Sequence, residues 1–364
     1  MRRLAHLDGV RAVAALYVLV DHALVTAGVA GRDGEYRGWE AAVFGWAQWG
    51  HSGVTVFIAL AGFSLGLPVG RVGGLPDGLW GFLRRRARRI VPPYWIALTV
   101  TIVTSLVIVA WRGHADSRLP LTPTGWIADY LLLQDVIPVR DATYTLWSVS
   151  VEWHIYLVLP LLVVLWRRFG LAAAVAVCAG CGALGMLADA FVDDRFGRFY
   201  PEYYLVFAVS AGAAIALRRA PAVIDRIPLR AVAALSAVVV VAVWIAMPLR
   251  WIITNSPWLD VVVGVGVVAL LCAMTTGRAP GLRAALSWTP LASVAAFSYS
   301  LYLIHAQLLT VLDLTVVTPL HLSPDVRLAM FWGLGCPLIV TAAWLFAKVA
   351  EKPFLPPPRV VPPP

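Results

Sequence analysis

Apolar residues run in blocks of about twenty along the whole chain, and polar residues gather in the short stretches between them. At 1.5 Å of rise per residue, about twenty residues of helix cross the hydrocarbon core of a bilayer. Ten such blocks predict ten spans, at 11–29, 49–69, 93–111, 144–166, 171–190, 202–217, 231–248, 258–276, 291–312 and 328–350. The stretch 125–139, GWIADYLLLQDVIPV, is too short and too acidic to span and predicts an interfacial or re-entrant segment. The expected fold is therefore an all-α integral membrane protein, a single transmembrane domain over residues 1–354. Residues 355–364 are proline-rich, cannot be helical and form an expected cytoplasmic tail. No cleavable signal is expected, because Arg11 opens the first block and no small-residue cleavage site follows it.

Composition narrows the class. Only 13% of residues are charged, against about 25% in soluble domains, so a water-facing surface is scarce and soluble enzyme folds are excluded. The net charge of +9 raises nucleic acid as a partner, but an apolar, Arg-rich chain fits basic membrane loops better. With the N-terminus placed inside, twenty of the 29 Lys and Arg fall on the inner side, while of the acidic residues only Asp8, Asp77, Asp225 and Glu351 do. The positive-inside rule thus selects N-in, C-in, in contact with the lipid bilayer and not with nucleic acid. The four cysteines lie in apolar stretches and read as small core hydrophobes, with no metal site among them.

A charge at the centre of a bilayer costs about 2.5–3.5 kcal/mol, so each one inside a block needs a reason. Asp21, His22, Glu152, His154 and His305 are such residues, whereas Asp260 lies near a block end and reads as a boundary residue. Arg11 and His22 are eleven positions apart, which at about 100° per residue places them on one face, about 16 Å apart along the axis. Ser148, Glu152 and Tyr156 repeat at every fourth position and form one polar stripe; His154 is about 200° from Glu152 and lies off it. His22, Glu152 and His305 fall at a similar depth, about 3–6 Å beyond their block midpoints, and could line one cavity or be separate interhelical contacts. Five Arg within residues 84–89, in the loop entering the third span, could meet anionic lipid or capture a phosphorylated cofactor.

LDGVRAVAALYVLVDHA at 7–23, GVTVFIALAGFSL at 53–65, RRRARRIVPPY at 84–94, LWSVSVEWHIYLVLPLL at 146–162, SYSLYLIHA at 298–306 and EKPF at 351–354 together resemble the membrane-bound acyltransferase 3 family. That family includes O-antigen, peptidoglycan and macrolide O-acyltransferases. The resemblance runs in order over nearly the whole chain. Departures are Ala61 for the usual Ser, Val149 for Leu, His154 for Gln or Glu, and Asp21 for an apolar residue.

The resemblance implies an enzyme, an O-acyltransferase of the bacterial cytoplasmic membrane. It implies transfer of an acetyl or other short acyl group from cytoplasmic acyl-CoA to a hydroxyl of a carbohydrate, either an envelope glycan or a glycosylated small molecule. His22 and Glu152 are then the expected catalytic residues, with a neutral imidazole as base or as transient acyl carrier. Arg11, Arg85, Arg86 and Arg89 are expected to hold the CoA phosphates, which moves the Arg cluster from lipid toward phosphate. Trp147, Ser148, Tyr302 and His305 are expected to line the substrate site. The competing expectation is a transporter whose buried Arg, His and Glu line a path. The absence of visible internal repeats weighs against it.

Overall fold

The computed structural model describes residues 4–28 and 45–355, and the residues of the proline-rich tail from 356 on lie outside them. Among the described residues there is no strand, and ten helices are long and apolar enough to cross a membrane. They are α1 Ala5–Ala27, α2 Ser52–Val72, α3 Gly78–Arg112, α4 Trp147–Phe169, α5 Leu171–Phe191, α6 Gly197–Arg219, α7 Leu229–Ala246, α8 Ser256–Thr275, α9 Ser298–Leu320 and α10 Pro324–Phe354. Each answers to one predicted block. The protein is an all-helical, multi-pass membrane protein.

The start of α3 departs from the expectation. The Arg cluster is not a loop but the first turns of a 35-residue helix. Arginine is a good helix former, and the helix runs on through Pro92 and Pro93. Those prolines have no N–H to give to the carbonyls four residues back, so Arg88 and Arg89 lose their helical donors.

Enclosure is uneven. Two thirds of α2 and of α6 is buried, against about a fifth of α5 and of α7, whose outward Leu, Val and Ile side chains suit lipid. Gly62, Gly66 and Gly70 of α2 recur every fourth position, so they form one stripe. A Cβ on them would lie 2.7 Å from the Phe207 carbonyl oxygen, 2.5 Å from that of Ala211, and 3.0 Å from Ile215 Cα. The two backbones touch through this stripe, the small-residue contact that replaces hydrophobic driving force inside lipid. Ser210 reinforces it, donating across to the Ala59 carbonyl at 2.6 Å.

Residues 125–139 are re-entrant. The short helix Pro123–Tyr130 folds back along α3, where the Tyr94 hydroxyl donates to the Asp129 carbonyl at 2.9 Å. Tyr94 lies eighteen residues before Arg112, which is about 27 Å along the helix. Gln134 closes the return, donating to the Tyr94 hydroxyl and to the Leu146 carbonyl, each at 3.1 Å. The two acids that argue against a span are thus both buried: Asp129 accepts the Ala142 N–H at 2.8 Å, and Asp135 pairs with His154 at 2.8 Å and accepts the Ser150 hydroxyl.

Away from the Arg-rich end, the fully buried Asp313 is gripped by Arg118 at 2.6 Å and Arg327 at 2.7 Å. Arg327 also reaches the Thr26 carbonyl at 3.3 Å. One carboxylate thus joins α1, α9, α10 and the loop after α3. Cys178, Cys272 and Cys336 are buried free thiols as expected, while Cys181 is exposed.

Two outcomes follow from this packing. Gly66→Leu must push α2 off the α6 backbone, and overpacking of this kind costs about 1–3 kcal/mol. The variant should unfold several degrees below wild type in a detergent thermal-shift assay, whereas Gly180→Leu, with open space around it, should not. Burial raises the Asp129 carboxyl to about 7, against the opposing pull of the Ala142 N–H. The folded state therefore holds this proton more tightly than the unfolded chain does, and stability falls as pH rises from about 4 to about 7. Asp129→Asn keeps an acceptor for Ala142 and removes that fall. Its Tm relative to wild type should climb between pH 5 and pH 7.5, and a constant difference would reject the assignment.

Candidate active site

A cavity of about 830 Å³ opens at the Arg-rich end between α1, α2, α3, α4 and α9. Arg11, Arg71, Arg86, Arg89 and Arg218 line it, together with Asp8, Glu152 and Glu351. Its α2 wall runs from Arg71 past Ala61 to Phe57 and Val54, and Arg71 to Phe57 is about 21 Å of helix rise. At that depth Phe57 meets Tyr302 edge to face, with ring centroids 6.0 Å apart.

The predicted stripe holds: Ser148, Glu152 and Tyr156 all face this cavity. Glu152 accepts the Tyr156 hydroxyl, and the Arg86 guanidinium lies 5.8 Å over the Tyr156 ring. Arg86 also holds a buried Nε with no hydrogen-bond partner. Arg11 pairs only loosely with Asp8, at 3.5 Å. Arg85 is placed differently from its neighbours. It bonds to Asp77 and to the Pro76 carbonyl and does not line the cavity.

The deep end is closed by two hydroxyls. Ser148 and Tyr302 share a hydrogen bond of 2.5 Å, and both lie 3.2 Å from the Thr145 carbonyl. Outside the cavity lining, with the Tyr302 ring 5.5 Å from that of His305, lies the histidine pair, His22 Nδ1 to His305 Nε2 at 2.7 Å, with the rings nearly parallel. The three groups do not line one cavity: Glu152 faces the Arg-lined cavity, while His22 and His305 bond each other outside its lining. Depth alone misplaces Glu152, whose side chain turns to Tyr156 and the Arg-lined cavity.

The hydrogen bonds of the pair set its tautomers. His305 Nδ1 lies 2.7 Å from the Tyr302 carbonyl, which can only accept. His305 therefore carries its proton on Nδ1 and offers a lone pair at Nε2. His22 must then donate from Nδ1, which leaves its Nε2 unprotonated. Asp21 Oδ2 lies 3.9 Å from that nitrogen, too far for a hydrogen bond. Asp21 is anchored elsewhere, on the Gly50 N–H; a Cβ at Gly50 would lie 2.3 Å from the Asp21 Cβ.

Trp147 is not in the cavity lining. It stacks on Tyr200 at 4.2 Å and on His51 at 5.9 Å, and so belongs to a cluster that sequence reasoning misses. His51 Nε2 lies 3.1 Å from Asp260 Oδ2 and 3.1 Å from the Tyr203 hydroxyl, and Thr55 also donates to Asp260. Asp260 is thus a buried partner of His51 and not a boundary residue. The available signal is that His51 and Asp260 both sit just inside or beside predicted block ends, where two polar groups can pair. Arg71 and Arg218 are missed as well, since counting them as inner-side charge hides that they face a cavity. Among the described residues no group of three His, Cys, Asp or Glu side chains is set to hold a metal ion.

A ten-helix membrane protein with an Arg-lined cavity ending near a histidine pair is the class that fold and site define. The acyltransferase 3 family profile, an acyltransferase domain, matches residues 4–348, and the chain belongs to that family. It is a multi-pass membrane member of that family. It is 25% identical over 381 residues to the Bacillus subtilis (strain 168) protein named Putative peptidoglycan O-acetyltransferase YrhL, a match over 97% of this chain. The chain spans 55% of that relative's length. No solved structure matches it.

Proposed function

We propose that the protein transfers an acetyl or other short acyl group from cytoplasmic acyl-CoA to a hydroxyl of an envelope glycan, at a bacterial cytoplasmic membrane. The observation that carries this reading is the meeting of three parts: an Arg-lined cavity, its hydroxyl closure, and a histidine pair that touches the closure at Tyr302 and has an unprotonated nitrogen on His22. Arg11, Arg86 and Arg89 take the donor's diphosphate through charge-assisted hydrogen bonds. Arg85, already held by Asp77, supports the helix end and not the donor. The extended pantetheine arm follows the α2 wall inward, and Glu152 accepts from its amide N–H groups. The Ser148–Tyr302 pair parts to admit the thioester.

At the reacting centre the acceptor O–H attacks the thioester carbonyl carbon while His22 Nε2 removes its proton. Collapse of the tetrahedral intermediate breaks the C–S bond, and the thiolate leaves with the proton from His22. The same nitrogen serves if an acyl-histidine forms first, since it is the one with a free lone pair. His305 is a positioning residue that acts through His22 by accepting its Nδ1 proton. Trp147, on the far side of the closure, bounds the acceptor side. The glycan acceptor is favoured over a glycosylated small molecule because the B. subtilis relative is named for peptidoglycan.

The test is radiolabelled acetyl-CoA supplied to purified protein in detergent with peptidoglycan fragments and other glycans. Label should move to a glycan hydroxyl, and label that stays on CoA with every acceptor would reject the reading. His22→Ala should lower kcat by about 10²–10⁴, the usual worth of a positioned base, with acetyl-CoA binding unchanged. His305→Ala should lower kcat without raising KM for acetyl-CoA and should change the pH–rate profile. A KM effect alone would make it a packing residue.

A further inference from the structure

Two cavity arginines, Arg71 and Arg218, have no part in that mechanism. They project from the ends of α2 and α6, which abut: a Cβ on Gly70 would lie 3.1 Å from the Arg218 Cβ. The glycine stripe therefore delivers the two guanidinium groups as a pair. Arg86 and Arg89 come from α3 and Arg11 from α1, so the cavity lining draws its arginines from four different helices.

The charge of this pair is not neutralised. Among the described residues, no hydrogen bond or ion pair joins Arg71 or Arg218 to an acidic side chain. Neighbouring arginines differ: Arg219 donates to the Gly70 and Arg71 carbonyls at 2.6 and 3.3 Å, and Arg85 is held by Asp77. Both Arg71 and Arg218 are exposed at the mouth. A cavity that takes arginines from α1 and α3 and two more from the abutting ends of α2 and α6 suits a ligand with two separate anionic groups. A diphosphate alone supplies only one of them. Arginine binds a phosphate monoester through its two-pronged donor geometry.

We propose that Arg71 and Arg218 bind the ribose 3′-phosphate of CoA and so select CoA over donors that carry only the diphosphate. The inference rests on the acyl-CoA reading above. The same residues could instead meet the phosphate of an anionic lipid headgroup, and the experiment separates the two sources.

Isothermal titration of the full-length protein in detergent would compare acetyl-CoA with acetyl-dephospho-CoA, which lacks the 3′-phosphate. Wild type should bind acetyl-CoA at least tenfold more tightly. The double variant Arg71→Ala/Arg218→Ala should lose that preference while holding acetyl-dephospho-CoA within twofold of wild type, which also shows that it is folded. Arg71→Lys/Arg218→Lys should keep part of the preference. Arg86→Ala/Arg89→Ala should weaken both ligands by the same factor. Equal binding of the two ligands by wild type, or equal loss on both in the Arg71/Arg218 variant, would overturn the inference while leaving the acyl-CoA reading intact. An effect of that variant confined to binding of phosphatidylglycerol vesicles would assign the pair to lipid. Failure of wild type to bind either ligand would instead reject the acyl-CoA reading itself.

Discussion

A polar group in hydrocarbon must find a partner inside the protein, because no water is there to supply one. This constraint organises the whole molecule. Asp313 is tolerable at zero exposure because two arginines reach it. Asp260 is tolerable because His51, Thr55 and Tyr203 surround it. Arg118 and Asp313 are 195 residues apart and His51 and Asp260 are 209 apart, so satisfying these buried groups also fixes which segments are neighbours. The histidine pair obeys the same rule, and its partner at the far end is a backbone carbonyl. That choice leaves one nitrogen of His22 outside the chain of bonds, which is the condition for chemistry.

The glycine stripe works at the opposite extreme, through contacts that need no polarity. Backbone contact between α2 and α6 makes a stiff wall, and the cavity is built against it. Chemistry-bearing side chains come from α1, α4 and α9 on the other sides. In the proposed reaction such a wall would hold the donor at a constant distance from those helices, as near-attack geometry requires.

How much of this was legible in the sequence depends on whether a feature is local to one helix. The ten spans follow from block length, and the Ser148–Glu152–Tyr156 stripe follows from helical period, because neither depends on tertiary neighbours. The meeting of His22 with His305 follows from depth, since two groups at one level can reach each other. Depth fails for Glu152 because a level along the axis does not tell which way a side chain faces, and Glu152 turns to Tyr156 and the Arg-lined cavity. Reading residues 84–89 as loop conceals a difference between Arg85 and Arg86. On a helix these neighbours are about 100° apart, while Arg86 and Arg89 share a face. Asp260 was out of reach for another reason: a carboxylate near a block end looks the same whether lipid headgroups or a histidine on another helix receive it.

Tyr302 meets its neighbours through its hydroxyl, its ring and its backbone carbonyl. Its hydroxyl closes the cavity against Ser148, and its carbonyl holds the far ring of the histidine pair. The hydroxyl moves by rotation about side-chain bonds, whereas the carbonyl belongs to the hydrogen-bonded backbone of α9. In the proposed reading, opening the closure moves the Tyr302 hydroxyl and ring while its carbonyl stays in the helix, so the proton on His305 Nδ1, and with it the tautomer of His22, is kept as a ligand enters.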